Sequence, residues 1–318
     1  MKAVVFEKYG PPEVLVLKEV DKPVPKNNEI LIKIHAVPVT SGDYRMRIPD
    51  PFIARFITGF ITPIKNILGV NLAGVIESIW KNVTKFKVGD RVYGSTGMWF
   101  WSYAEYKCLP ENAIISIIPD NISYEDASAV IFGWWTAIDF LEKGNIKKGQ
   151  KVLIYWASWA VGTAAIQLAK YYWAEVTGVC SRSNIDLIKS LGADNIIDYT
   201  NQDYRKNKNH YDIIYDTVGK TSYLEAKDSL NEFGIFIANN ASMSDYFQLL
   251  KSSISWSKKI VAWVATEKVV HLEFLSKLMT EWKFKAVIDK RYTLNEMAEA
   301  HRYVEKWHKK GNVIVNVL

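Results

Sequence analysis

The sequence predicts an α/β protein in which a β-rich first third is joined to a doubly wound parallel sheet. Residues 151–183 follow the pattern of strand, tight turn, helix and second strand, which is half of a dinucleotide-binding unit. Strand and helix patterns then alternate as far as residue 264, as in parallel sheets with crossover helices. Before residue 123, short strand-like runs separated by prolines predominate instead.

The first third combines several short strand candidates with one apolar segment. Residues 50–68 are apolar and aromatic with two prolines among them, and we interpret them as a substrate-side loop or short helix rather than a membrane anchor. No apolar run reaches the roughly 20 residues that a membrane helix needs. Strands are predicted at residues 2–6, 14–19, 29–37, 72–79 and 90–93.

The pattern becomes helical at residue 123, where Ser123 is a possible N-cap. A second helix is predicted at residues 135–142. Later helices are expected at residues 186–191, 222–230, 269–281 and 295–306, and later strands at residues 195–198, 211–215, 235–238, 260–264, 286–289 and 313–317.

The turn after the strand at residues 152–155 lies where a nucleotide fold binds phosphate at a helix N-terminus. Ser158, Val161 and Gly162 are its candidate cofactor contacts. Such a turn normally carries glycines three residues apart, because the backbone must touch the pyrophosphate. Here Trp156 and Trp159 stand in the first two positions. Indoles there are expected to obstruct the ligand.

Composition excludes several classes of protein. The chain has 318 residues, 49% hydrophobic and 23% charged, as is ordinary for a globular protein of two domains. Its 40 basic residues are scattered among 34 acidic ones, so the net charge of +6 indicates a solvated surface rather than a nucleic-acid ligand. Met1 leads directly into a strand, which leaves no room for a signal peptide. Cys108 and Cys180 are too few for a disulfide framework, which favours the cytoplasm.

Motifs in a specific order run along nearly the whole chain. They include MKAVVFEKYGPPEVL, EILIKIHAVPVTSGDYRMR, LGVNLAGVIES, FKVGDRVYG, SYAEY, KVLIY, AVGTAAIQLAK, LGADNIIDY, YDIIYDTVG and FKAVIDKRYTLNEMAEAHRYVEKWHKKGNVIV. In these motifs the chain resembles the zinc-independent medium-chain dehydrogenase/reductase superfamily, specifically its quinone oxidoreductase-like branch. The resemblance implies a β-rich GroES-like catalytic domain at residues 1–123 and 268–318, and a Rossmann NADP-binding domain at residues 124–267. It also implies a homodimer joined near residues 235–264.

The chain departs from that family in one systematic way, because tryptophan stands where the resemblance implies glycine. Two explanations stay open: the indoles pack as ordinary core residues, or the sequence is altered at these positions. Three of them, at residues 173, 282 and 307, follow predicted helices where a left-handed glycine is usual. The positions are Trp80, Trp99, Trp101, Trp134, Trp156, Trp159, Trp173, Trp282 and Trp307.

Metal catalysis is not expected. Zinc-dependent relatives carry a cysteine near Ser41 and a His-Glu pair near Asn71, and this chain has neither. Its five histidines are dispersed along the sequence, so too few ligands lie within reach of one another for a metal site.

The end of the second nucleotide-fold strand predicts the cofactor. An NAD-specific fold has an acid there, whereas this chain has Ser181 and Arg182, which favours NADPH. Alternatively, Arg182 is an exposed loop residue and Ser181 caps the next helix. The resemblance places other residues along the cofactor, with Lys170 as a further possible phosphate contact or simply an exposed helix residue. These residues are Thr136, Tyr199, Val218 and Gly219.

The expected chemistry is hydride transfer from NADPH to a small hydrophobic electrophile such as a quinone, enone or related carbonyl compound. Tyr44 and Arg47 are the candidates for polarising the substrate oxygen or donating a proton, although a structural turn explains them equally. Thr40, Asp43 and Asn71 are the candidate substrate contacts. The alternative function is a Rossmann-fold protein that has lost its cofactor and serves a structural or binding role.

Overall fold

A computed structural model of the protein describes residues 1–50, 52, 55–254, 257–262 and 264–318. The chain forms two compact units, one of residues 1–131 with 268–318 and one of residues 132–267. We call them unit 1 and unit 2. The domain boundaries inferred from the sequence stay a prediction.

Unit 1 is built on a mixed, mainly antiparallel sheet to which both ends of the chain contribute. Strand β3 lies inside this sheet, and its alternate residues Ile30, Ile32 and Ile34 are fully buried, as a period of two predicts. The strands of unit 1 are β1 (Lys2–Val5), β2 (Val16–Glu19), β3 (Glu29–Val39), β4 (Asn71–Ile79), β5 (Arg91–Ser95), β6 (Tyr106–Pro110), β7 (Ile115–Ile117), β14 (Ile288–Thr293) and β15 (Asn312–Asn316).

The order of the unit 1 sheet is β14-β15-β3-β4-β5-β7, and β6 also pairs with β3. The last strand, β15, pairs antiparallel with β3, so that Val315 lies opposite Val37. Strands β1 and β2 form a separate antiparallel pair. The helices are α1 (Ser41–Arg47), α2 (Arg55–Thr58), α8 (Val269–Thr280) and α9 (Met297–Glu305), and α3 (Tyr124–Lys143) begins in this unit.

Unit 2 contains a parallel sheet with the order β10-β9-β8-β11-β12-β13. The strand order reverses between β8 and β11, and this reversal is where nucleotide folds bind ligands. The strands are β8 (Lys151–Tyr155), β9 (Glu175–Cys180), β10 (Asn195–Asp198), β11 (Tyr211–Asp216), β12 (Leu230–Ala238) and β13 (Lys259–Ala262). The helices are α4 (Ala160–Tyr171), α5 (Ile185–Ser190), α6 (Tyr223–Ala226) and α7 (Met243–Ile254).

The helix predictions differ from the structure at three places. The helices expected on either side of residue 134 are a single helix, α3, which continues through Gly133 without a break. The helix expected at residues 222–230 is shorter, because α6 ends at Ala226 and Leu230 begins β12. Helix α7 was not predicted at all. Its N-terminal signal is present, since the Ser242 Oγ accepts from the Asp245 N–H at 3.2 Å and the Asp245 carboxylate accepts from the Ser242 N–H at 2.9 Å.

The ends of the helices show an unusual use of tryptophan. Helix α5 ends in a Schellman motif: the Gly192 N–H donates to the Lys189 carbonyl, the Ala193 N–H donates to Ile188, and Gly192 has φ 101°. The same motif ends α4 and α8, but Trp173 (φ 61°) and Trp282 (φ 57°) replace the glycine. Trp307 (φ 60°) follows α9 in the same conformation.

These tryptophans strain the backbone. A left-handed conformation costs a residue with a Cβ roughly 1–2 kcal/mol. Tryptophan adopts it at residues 101, 156, 173, 282 and 307. Together the five sites cost roughly 5–10 kcal/mol, which is comparable with the whole net stability of a typical protein, roughly 5–15 kcal/mol. The chain is therefore expected to be only marginally stable with tryptophan at all five.

Candidate functional site

The turn between β8 and α4 has the backbone of a phosphate-binding turn. It leaves the sheet at Trp156, whose φ is 62°, and Trp159 is the N-cap of α4. A Cβ at residue 162 would lie 2.6 Å from the carbonyl oxygens of Trp156 and Ala157. Only glycine therefore lets the first turn of α4 pack so closely on the strand end. Ser158 and Val161, the other predicted contacts, are both buried in this turn.

The two indoles of the turn lie against each other and against Tyr199. The ring of Trp156 stacks on Tyr199, with centroids 5.6 Å apart and an interplanar angle of 8°. Its contact with Trp159 is edge-on at 6.3 Å, and Trp159 is itself buried. A pyrophosphate must approach the main chain of such a turn closely, so indoles at these two positions are expected to obstruct it.

The end of β9 is tied to the turn by hydrogen bonds. The Asn184 Nδ2 donates to the Ser158 Oγ at 3.0 Å and to the Ser181 Oγ at 3.2 Å. The Asn184 Oδ1 is buried and has no hydrogen-bond partner among the described residues. Sequence reasoning missed Asn184, which lies two residues beyond Arg182. Arg182 itself is exposed.

The loop after β11 folds around a buried carboxylate. Asp216 accepts hydrogen bonds from the N–H groups of Val218 (3.1 Å), Gly219 (3.0 Å) and Thr221 (3.0 Å). Burial raises the pKa of Asp216 above its usual value, although these bonds oppose the shift. The predicted contacts Val218 and Gly219 thus direct their N–H groups to the protein itself. Asp216 was missed, and its signal is an acid at the end of a buried strand.

A cavity of about 290 Å³ opens beside Tyr199 in unit 2. Its walls include the end of β8 at Tyr155 and the cations Arg205 and Lys220, with Asp203 and Glu225 among them. This mixture of charges and aromatic rings can accommodate a polar ligand with a flat face. The cavity therefore extends the candidate site from the turn towards Tyr199.

Two other predicted cofactor residues make contacts within the protein. Thr136 is buried in α3, and its Oγ1 donates to the Phe132 carbonyl at 2.8 Å. The Lys170 Nζ lies 2.8 and 2.7 Å from the two carboxylate oxygens of Asp194. Lys170 is in the last turn of α4, about 15 Å along the helix from the phosphate turn at its start. The structure does not bring Lys170 to that turn, so the phosphate contact predicted for it is not supported.

In unit 1, Thr40 and Asp43 form the N-terminal cap of α1. The Asp43 Oδ2 accepts from the Thr40 N–H at 2.7 Å and from the Thr40 Oγ1 at 2.6 Å. Burial raises the pKa of Asp43, and the bonds from Thr40 oppose the rise. Tyr44 packs in the hydrophobic core of unit 1. Asn71, the first residue of β4, is buried, and its Oδ1 has no partner within the described part of the chain.

Arg47 is a core residue. Its side chain is fully buried, donates to the Gly10 carbonyl and to the His301 Nδ1, and pairs with Glu305. Burial lowers the pKa of Arg47 to about 10. These contacts join α1 to α9. The catalytic role inferred for Arg47 from the sequence stays a prediction, and the structure shows a structural role beside it.

Both units match known protein families. Residues 26–120 match the alcohol dehydrogenase GroES-like domain, and residues 191–315 match the family described as zinc-binding dehydrogenase. The structure of the quinone oxidoreductase from Coxiella burnetii superposes with a TM-score of 0.91 at 28% identity, covering 100% of this chain and 99% of that one. The chain belongs to the medium-chain dehydrogenase/reductase superfamily. The resemblance inferred from the sequence motifs is thus confirmed, as is the GroES-like and Rossmann fold class.

Relatives in this superfamily cover nearly the whole chain. The 2-methylene-furan-3-one reductase of Solanum lycopersicum is 28% identical over 99% of this chain and 79% of its own length. The chloroplastic quinone-oxidoreductase QR1 of Triphysaria versicolor is 29% identical over 99% of this chain and 98% of its own length. These relatives are oxidoreductases of the same architecture.

One of the two matching families is described as zinc-binding. Among residues 1–50, 52, 55–254, 257–262 and 264–318, no three His, Cys, Asp or Glu side chains are grouped closely enough to hold a metal ion. Nor is any helix in those ranges long and apolar enough to cross a membrane.

His301 lies on α9 and contacts Arg47, the last residue of α1. The ring is fully buried, its Nδ1 accepts from the Arg47 Nε at 3.4 Å, and it meets Tyr103 edge-on at 5.7 Å. Burial, together with the positive charge of Arg47, lowers the pKa of His301 to about 3. Its imidazole is therefore neutral in the folded protein.

We expect this histidine to make stability depend on pH. The unfolded imidazole takes up a proton near pH 6.5, whereas the folded one does so only near pH 3, so stability is lost as pH falls below 6.5. Lowering the pH from 7 to 5 should cost about 2 kcal/mol through this group. Urea denaturation at both pH values should show a smaller loss for His301→Gln, and an unchanged loss for the exposed control His308→Gln. An equal loss of stability in the parent protein and both variants would contradict the assignment of this pH dependence to His301.

Proposed function

We propose that the protein is an NADPH-dependent reductase that transfers hydride to a quinone, an enone or a related small carbonyl compound without zinc. The observation that carries this proposal is the end of β9, where Ser181 and Arg182 stand beside the phosphate turn in place of an acid. A cation there suits the 2′-phosphate of NADPH. The buried Asn184 Oδ1 is an acceptor for a ligand hydroxyl beside it.

The substrate class is supported by the relatives and by the chemistry of the chain. The names of the tomato and Triphysaria relatives refer to a furanone and a quinone. NADPH supplies the hydride when bound, so the protein needs mainly to position the partners and exclude water. Our candidates on the substrate side are Asn71, whose buried Oδ1 has no hydrogen-bond partner among the described residues, and Tyr44, although its ring packs in the core of unit 1.

Arg182 provides the test of cofactor choice. In a background with glycine at residues 156 and 159, Arg182→Ala should raise the Kd for NADPH about tenfold, because a charge-assisted contact to phosphate is lost. The Kd for NADH should change little. Lys189→Ala, an exposed cation on the adjacent helix α5, is the matched control and should leave both values unchanged. Equal weakening of NADPH and NADH binding would refute the role of Arg182.

Turnover tests the reaction itself. NADPH oxidation by that glycine background should be seen with a quinone or an enone and not with the corresponding saturated ketone. A second candidate function is favoured by the edge-on indoles of Trp156 and Trp159 in the turn: a Rossmann-fold protein without a cofactor, serving a structural or binding role. Absence of NADPH binding in both the tryptophan and glycine forms would favour this second function.

A cytoplasmic location is part of our proposal, on the basis of the free Cys108 and Cys180.

A homodimer is the proposed assembly. Strand β13 is at the edge of the unit 2 sheet, and α7, which packs near it, exposes Met243 and Phe247 at 73% and 62%. An open edge beside exposed apolar side chains suits a second copy of the chain. Sedimentation velocity should give a dimer for the protein and a monomer for Phe247→Lys. Leu224→Lys, a control on α6, should remain dimeric, and a monomeric parent protein would contradict the proposal.

A further inference from the structure

The left-handed residues of this chain are dominated by one amino acid. In the part of the chain that the structure describes, the residues other than glycine with positive φ are five tryptophans, three asparagines and one phenylalanine. Asparagine tolerates this conformation, but a bulky side chain is a genuine outlier there. Tryptophan at a single such site could be a local solution to packing. Five such sites need a common cause.

The same chain shows which residue these positions require. The Schellman motif that ends α5 contains Gly192, and the equivalent position after α3 is Asn145, with φ 51°. Trp173 and Trp282 make the same N–H to carbonyl bonds after α4 and α8. The backbone is thus a glycine backbone at these sites, and the side chain is the only difference.

Two of these five indoles gain little in exchange for the strain, whereas Trp101 and Trp307 pack against the core of unit 1. Trp173 is 73% exposed and Trp282 is 67% exposed, so burial of their rings cannot offset a left-handed backbone. The ring of Trp173 has one cation contact, with the Lys148 Nζ 5.8 Å from its centroid. At Trp156 the indole is expected to obstruct the turn that would otherwise admit a pyrophosphate. The strain of the backbone, the exposure of two indoles and the position of a third in the phosphate turn therefore all favour glycine in place of tryptophan.

We propose that the native chain has glycine at residues 101, 156, 173, 282 and 307, because its cell decodes as glycine a codon that other cells read as tryptophan. Scattered mutations would leave several residue types at these sites, whereas a codon decoded differently leaves one. UGA is the candidate codon, since it is one base away from the tryptophan codon UGG. At Trp156 the inference rests on the proposed function, because glycine there would reopen the phosphate turn. At the helix ends it does not depend on the proposed function.

The codons and the native polypeptide test this directly. The gene should carry UGA at these five positions and UGG at Trp135, a buried residue inside α3 that needs no left-handed backbone. Peptide mass spectrometry of the protein purified from its own cells should find glycine at the five sites and tryptophan at residue 135. UGG codons at the five sites, or indole-containing native peptides there, would overturn the inference. The same spectra will show whether the native residue is glycine or tryptophan at Trp80, Trp99, Trp134 and Trp159. The backbone conformation does not distinguish the two there.

Stability measurements on recombinant protein supply a second test. Trp173→Gly should raise the melting temperature by a few degrees, and Trp173→Ala by less, because alanine keeps the Cβ in a left-handed position. Equal melting temperatures for the glycine and alanine variants would contradict the backbone argument. A native chain with glycine that fails to bind NADPH would overturn the proposed function and leave this inference intact. A native chain that has tryptophan at these sites and binds NADPH would overturn this inference and leave the proposed function intact.

Discussion

Replacing Trp156 and Trp159 together with glycine is expected to lower the Kd for NADPH by at least about tenfold. The indole of Trp156 stacks on Tyr199 and meets Trp159 edge-on, and we expect these two rings to obstruct the turn into which the pyrophosphate must enter. Glycine at residue 156 also relieves a left-handed backbone with φ 62°. Titration of NADPH followed by nicotinamide fluorescence measures the effect, with NADH as the specificity control.

The matched control for that experiment is Trp173→Gly. Residue 173 has nearly the same φ, 61°, but lies after the far end of α4. This control should stabilise the protein without changing its affinity for NADPH. Tight binding of NADPH by the chain with both tryptophans would show that the indoles leave the phosphate turn accessible, contrary to our account.

Replacing Arg47 with alanine is expected to destabilise the protein by about 3–5 kcal/mol. The substitution removes a fully buried guanidinium and leaves Glu305, His301 and the Gly10 carbonyl without their donor. Urea denaturation at pH 7 measures this loss. Arg45→Ala is the matched control, because Arg45 lies on the same helix α1 and is partly exposed, so a change within about 0.5 kcal/mol is expected.

The same variant separates a structural role for Arg47 from a catalytic one. A structural role predicts low stability with near-normal kcat in the fraction that remains folded. Unchanged stability with a large fall in kcat would restore Arg47 as a catalytic residue. The buried contacts with α9 favour the first result, because they use the donors that a substrate would need.

The sequence by itself determined the class of fold and the general place of the nucleotide site. A strand-like run among prolines identified β3, and its buried residues Ile30, Ile32 and Ile34 follow the period of two expected of a strand. Apolar strand, turn and small-residue helix identified β8 and α4, and the helix-end rule marked Trp173, Trp282 and Trp307 as unusual. These features are local, so neighbouring residues in the chain are sufficient to reveal them.

Only the tertiary structure decided what the individual side chains do. Arg47 and His301 are 254 residues apart in the chain yet share a hydrogen bond, and no local pattern predicts that pairing. Asp216 organises the loop that was expected to run along the cofactor, and Lys170 pairs with Asp194 instead of reaching the phosphate turn. The hydrogen bonds and ion pairs of charged and polar side chains depend on the partners that folding brings near them. Their roles therefore depend on long-range contacts, whereas strands, helices and turns follow from periodicity and backbone preference.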